Sequence, residues 1–109
     1  MRYGMVIRLH DDKVEEYKKL HAAVWPGVLK TLKDNGVRDF TIFLKEPENV
    51  LFGVFDYVGE EEYSEAARRI AADPVTQEWW KLTEPCQLPL EHRGPDEWWA
   101  FMENVFHLD

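Results

Sequence analysis

The stretch 38–58 constrains this chain more than any other. Residues 38–45, RDFTIFLK, alternate and are rich in strand formers; residues 50–58, VLFGVFDYV, form a second such run. Between them EPEN reads as a turn, so the middle of the chain is a β-hairpin. A hairpin cannot bury its apolar face alone, so what flanks it decides the fold. Residues 3–9, YGMVIRL, read as a strand ending in polar residues. Asp12 followed by Glu15 has capping-box spacing and predicts a helix start. Val14, Tyr17, His21, Val24, Val28 and Leu32 then recur at helical spacing and share a broad face. Pro26 removes a backbone donor inside that run, so the helix kinks or restarts there with Pro26 in a first turn. Asn35-Gly36 is the stop.

After the hairpin, residues 60–82 are helical in character. They open on Glu60-Glu61-Glu62, acidic residues that suit a helix N-terminus and read as a solvated end. Asp73-Pro74 breaks the run, with Asp73 placed to cap a second helix carrying Trp79 and Trp80. Residues 85–96 hold three prolines and a glycine and read as loop. The segment centred on FMENVFHL supplies a final strand. The order is β-α-β-β-α-β: an α+β chain, ferredoxin-like, forming a single domain over 1–109. Helices cover one face of such a sheet. The other must be covered by a partner subunit or a ligand pocket, and five Trp, four Tyr and six Phe would fill it.

The formal net charge of −8 excludes nucleic acid as a partner, because that binding rests on basic side chains neutralising phosphates. No apolar run approaches the ~20 residues of a membrane span. The N-terminus lacks the apolar stretch of a signal peptide, so a cytoplasmic location is expected. Cys86 is the only cysteine, beside Pro85 with no histidine nearby in sequence, which makes a nucleophile or a metal knuckle a poor reading. His10, His21, His92 and His107 are dispersed, with no HxH or HExxH spacing, so no metal is assigned. His10 reads as solvated, His92 as part of the Pro-rich loop and His107 as part of the last strand. Glycine-rich phosphate loops and GxSxG are absent.

Tyr17 and His21 lie four apart on the first helix, so their side chains point the same way. A phenol and an imidazole so placed can act as hydrogen-bond donor and acid–base group. They can equally pack under the sheet with satisfied polar tips. Trp79 and Trp80 are adjacent and diverge by about 100° on a helix, so one can be core while the other borders a pocket, or both can be core. A flat indole suits the apolar face of a sugar ring. Trp98-Trp99 reads as packing or dimer contact, and Trp25 as a packing anchor.

Taken together, these strings resemble a known family. Tyr17-x-x-x-His21-x-x-x-Trp25-Pro26 is similar to the YxxxHxxxWP signature of the L-rhamnose mutarotases, and it is followed in the same way by a helix ending in Asn-Gly. The strands DFTIFL and NVLFGV, Asp73-Pro74-Val75 followed by Trp79-Trp80-Lys81, and the closing Val105-Phe106-His107-Leu108 resemble that family in order and spacing, over nearly the whole chain. The resemblance implies a dimeric α+β barrel and a pocket for one monosaccharide, with L-rhamnose as the expected sugar. It implies that His21 is the proton donor, that Tyr17, Trp79 and Trp80 contact the sugar, and that no cofactor takes part. Phe40 stands where that family usually has a sugar-contacting tyrosine, and QLPLEHRGPDEWW replaces an Asn-Pro-Asp-Asn-like loop. Both departures bear on which sugar fits. The competing readings share the expected fold: a dimeric α+β-barrel monooxygenase or haem-binding protein, or a sugar-binding module without activity.

Overall fold

The structure is a computed structural model and describes residues 1–109. Strand β1 spans Arg2–Leu9, and a 3₁₀ turn at Asp11–Lys13 leads into helix α1, Val14–His21. Helix α2 is Pro26–Asp34, and the hairpin strands are β2, Val37–Lys45, and β3, Val50–Tyr57. Helices α3, Tyr63–Ala72, and α4, Pro74–Thr83, follow. Two short strands close the chain: β4, Gln87–Leu88, and β5, Ala100–Met102. The sheet runs β2-β3-β1-β4 and is antiparallel throughout, which is the ferredoxin-like order.

The helix breaks fall where the sequence places them. Trp25 is extended and Pro26 is the first residue of α2, where its missing N–H costs no helical bond. Asp73 caps α4 by accepting from the Thr76 amide and hydroxyl, both at 2.9 Å. Gly36, at φ 84°, turns the chain from α2 into β2, a conformation that glycine adopts without strain.

Two expectations need correction. The Asp12–Glu15 capping box does not form: Asp12 lies inside the 3₁₀ turn, and α1 starts without a side-chain cap. The turn is held instead by the buried Asn49, whose amide donates to the Asp11 carboxylate at 2.8 Å. The last strand is also shorter than predicted. Its register pairs Gly4 with Met102, and β1 begins at Arg2, so little backbone is left for residues beyond Met102 to pair with. Val105, Phe106, His107 and Leu108 therefore lie outside the sheet, exposed.

β1 has both neighbours on its outer edge. Arg8 and Leu9 pair with β4, while Gly4–Val6 pair with β5, so residues 89–99 form an excursion clipped to the same strand at either end. The core lies on the helical side of the sheet. Met5 and Phe55 pack with Val37, Tyr57, Ala66 and Ile70; Ile7, Leu9 and Leu51 pack with Val14, Tyr17 and Cys86. Phe43 and Phe52 pair on the opposite face, which no helix covers, and Phe43 is 62% exposed.

Candidate active site

A cavity of about 300 Å³ lies between the helices and the sheet, at the small end of the ~300–1,000 Å³ typical of ligand sites. Tyr17 and His21 reach it from α1, Phe40 from β2, and Trp79 and Trp80 from α4. All five residues singled out in the sequence therefore share one cavity. Phe40 gets there through a bulge. The β2–β3 register jumps between Arg38 and Thr41, Asp39 takes φ 52°, and the extra residue turns Phe40 to the helical face beside Phe55, with ring centroids 5.6 Å apart.

One turn of α1 stacks the Tyr17 and His21 rings, 4.1 Å apart and inclined by 24°. His21 Nδ1 lies 3.1 Å from the Tyr17 carbonyl oxygen. A carbonyl can only accept, so Nδ1 carries the proton and the neutral ring keeps a lone pair on Nε2. Burial pushes the imidazole below its ordinary value near 6.5, and the carbonyl bond opposes that in part. His21 is therefore neutral at neutral pH. Burial pushes the Tyr17 phenol the other way, up to about 12, so it keeps its proton. The sequence left open whether this pair packs or reacts. Tyr17 packs, at only 4% exposed, and also lines the cavity.

Trp79 stands edge-on to His21 at 5.5 Å and to Trp25 at 5.2 Å. It is 5% exposed, whereas Trp80 is half-buried, so the pair divides into a core member and a more open one, although both line the cavity. Trp25, half-buried, meets the edge of Trp79 and does not line the cavity.

The cavity's remaining wall was not expected. Gln87, Trp98 and Trp99 line it, together with Glu84, Asp96 and Glu97. Trp98 is thus a cavity residue rather than only a packing or dimer contact. Its indole N–H donates to Gln87 Oε1 at 2.7 Å. Trp99 packs against both core clusters as well. The only sequence signal for this wall was the divergence of residues 87–99. Cys86 is fully buried, its thiol donating to the Glu16 carboxylate at 3.2 Å and pushed up to about 11 by burial, so it is no nucleophile. His10, His92 and His107 are exposed and outside the cavity.

The model of one family, L-rhamnose mutarotase, matches residues 2–108. The chain belongs to that family. Named L-rhamnose mutarotases similar to it include the protein of Bacillus subtilis, 36% identical over 99% of this chain and 98% of that protein. Another is that of Lactiplantibacillus plantarum, 35% identical over 100% of this chain and 99% of that protein. Among solved structures, the L-rhamnose mutarotase of Formosa agariphila superposes with a TM-score of 0.78 at 25% identity, covering 100% and 99% of the two chains. Tetracenomycin F2 cyclase from Streptomyces glaucescens shares the fold, with a TM-score of 0.69 at 14% identity and the same coverage. Family membership gives Phe40 its interest. Phe40→Tyr should change relative exchange rates across a panel of sugars without harming the fold. The added hydroxyl must bond to a sugar group or stay unpaired, which costs about 1–3 kcal/mol. Unchanged relative rates in an NMR exchange assay would place residue 40 outside the working site.

Proposed function

We propose that this chain interconverts the α and β anomers of a monosaccharide, L-rhamnose being the expected sugar, by general acid–base opening and closing of the ring. The observation that carries the reading is the His21–Tyr17 pair facing a cavity of single-sugar size between indoles. Opening a hemiacetal removes a proton from the anomeric hydroxyl and delivers one to the ring oxygen. Each step is worth about 10²–10⁴ in rate when a positioned group performs it. No electron moves and no covalent intermediate forms, so the reaction calls for no cofactor. The resemblance makes His21 the proton donor; because the ring is neutral with its lone pair on Nε2, we assign it first as acceptor of the anomeric proton, which it donates back when the ring closes. Trp79 and Trp80 offer flat apolar surface to the sugar, and Glu84, Asp96 and Glu97 offer acceptors for hydroxyl groups. Magnetisation-exchange NMR on anomer mixtures tests this directly. Acceleration for L-rhamnose is expected; no acceleration for any sugar of a broad panel would overturn the proposal.

The same reading makes the protein a cytoplasmic homodimer. No helix is long and apolar enough to cross a membrane. Phe43, Phe52, Leu88 and Met102 lie exposed on the helix-free side of the sheet, and Val105, Phe106 and Leu108 are exposed beyond it. Apolar surface of this kind marks an interface in a water-soluble chain, and a second copy with the same face covers it by two-fold symmetry. Sedimentation at micromolar concentration should give twice the 12.9 kDa of one chain. A monomer there would remove the dimer.

A further inference from the structure

Mutarotation needs two proton carriers, and His21 is one. We infer that the Tyr17 hydroxyl is the other, and that Gln87, held by Trp98, is the positioning residue that makes it a donor. The inference rests on the mutarotase reading and names the second half of its chemistry.

The geometry fixes the direction of each bond. An indole N–H can only donate, so the bond from Trp98 Nε1 to Gln87 at 2.7 Å assigns the receiving atom as the amide oxygen. The amide nitrogen is then turned to Tyr17, 3.4 Å from its hydroxyl oxygen, inside a site where Gln87 is 6% exposed. That nitrogen has only hydrogens to offer. The Tyr17 oxygen must accept, so its own hydrogen is left for a third group. Tyr17 lines the same cavity as His21, so a sugar bound there lies within reach of that remaining hydrogen. A donor aimed at a phenol oxygen also favours the phenolate, opposing the effect of burial at Tyr17. The bond is long as it stands, and such bonds tighten when substrate fills a site.

The proton balance closes. In ring opening the bond between C1 and the ring oxygen breaks, and the ring oxygen takes the Tyr17 proton. The anomeric O–H gives its proton to His21 Nε2, and its electrons form the C1 carbonyl. After rotation about the C1–C2 bond, the freed hydroxyl attacks the other face of C1 and returns its proton to the Tyr17 phenolate. His21 reprotonates the anomeric oxygen. Both residues end as they began.

The test is the exchange rate of L-rhamnose anomers, resolved into kcat and KM, for the wild-type protein, Tyr17→Phe, Gln87→Leu and their double variant. Tyr17→Phe should lower kcat by about 10²–10⁴-fold, as loss of a general acid does. Gln87→Leu should lower kcat by about tenfold or more, the scale of a lost charge-assisted hydrogen bond, with KM held. Gln87→Leu should add nothing in the Tyr17→Phe background. Should Gln87→Leu fail to fold, Trp98→Phe keeps an aromatic ring but removes the N–H that fixes the Gln87 amide, leaving it free to turn, and carries the same expectation in smaller measure. A rise in KM with kcat held would make Gln87 a sugar contact and overturn the inference. So would equal losses in both backgrounds, or an unchanged kcat per folded molecule. A wild-type protein without exchange activity would instead sink the functional reading itself.

Discussion

Replacing His21 with alanine should slow anomer exchange by about 10²–10⁴-fold and leave a folded protein that still binds sugar. The loss reflects removal of the Nε2 lone pair, the only part of the imidazole not already committed to the Tyr17 carbonyl. The ring also stacks on Tyr17 and meets the edge of Trp79, so some stability goes with it. Melting temperature measured beside the exchange rate separates the two effects. A purely packing histidine would lower the first and spare the rate per folded molecule. The wild-type pH profile supplies a second check. In the proposed mechanism the neutral ring is the active form, and burial holds its pKa below 6.5. The rate should be flat above that value and fall as pH drops through the lowered pKa. Stability should follow the same sign. The unfolded chain binds this proton more readily than the folded one, so the contribution of His21 is complete above pH 6.5 and is lost on acidification. A His21→Ala variant with wild-type exchange would falsify its role.

Trp79→Ala should be the most destabilising single change at the site, costing about 3–5 kcal/mol. Typical domains hold only about 5–15 kcal/mol in total. Trp79 is 5% exposed and wedged edge-on between His21 and Trp25, so its removal opens a void joined to the cavity and leaves both neighbours loose. At roughly 4–8 °C per kcal/mol for a domain near this size, the melting temperature falls by tens of degrees. Trp80→Ala, at a half-buried position, should cost less stability and act mainly through KM. Urea unfolding of the two variants with and without sugar measures both. A loss under about 1 kcal/mol for Trp79→Ala would mean that this indole does not carry the packing assigned to it.

Elements whose signals are local were legible in the sequence. Pro26 and Asp73-Pro74 act within one turn of backbone, and the helices break there as expected. The pairing of Tyr17 with His21 follows from helical geometry alone. What escaped depends on register between distant strands. FMENVFHL has the composition of a full strand, but pairing begins at Ala100, and β1 runs out two residues past Gly4. The bulge that turns Phe40 inward is likewise a mismatch between two strands and leaves no mark in residue type. Gln87 was invisible for a third reason. Its meaning lies in what it touches, Tyr17 seventy positions away and a tryptophan read as packing.

The double fastening of residues 89–99 to β1 has a bearing on how this protein could diversify. Tyr17 and His21 sit on α1, while another part of the cavity wall hangs between two short strand anchors, separate in the chain from that helix. Residues 89–97 between the anchors take no part in the sheet pairing or in the stacking of Tyr17 on His21. Apart from Trp98, whose indole fixes Gln87, this segment is free to vary in length and charge at the cavity rim while the strand order that seats the helices stays as it is.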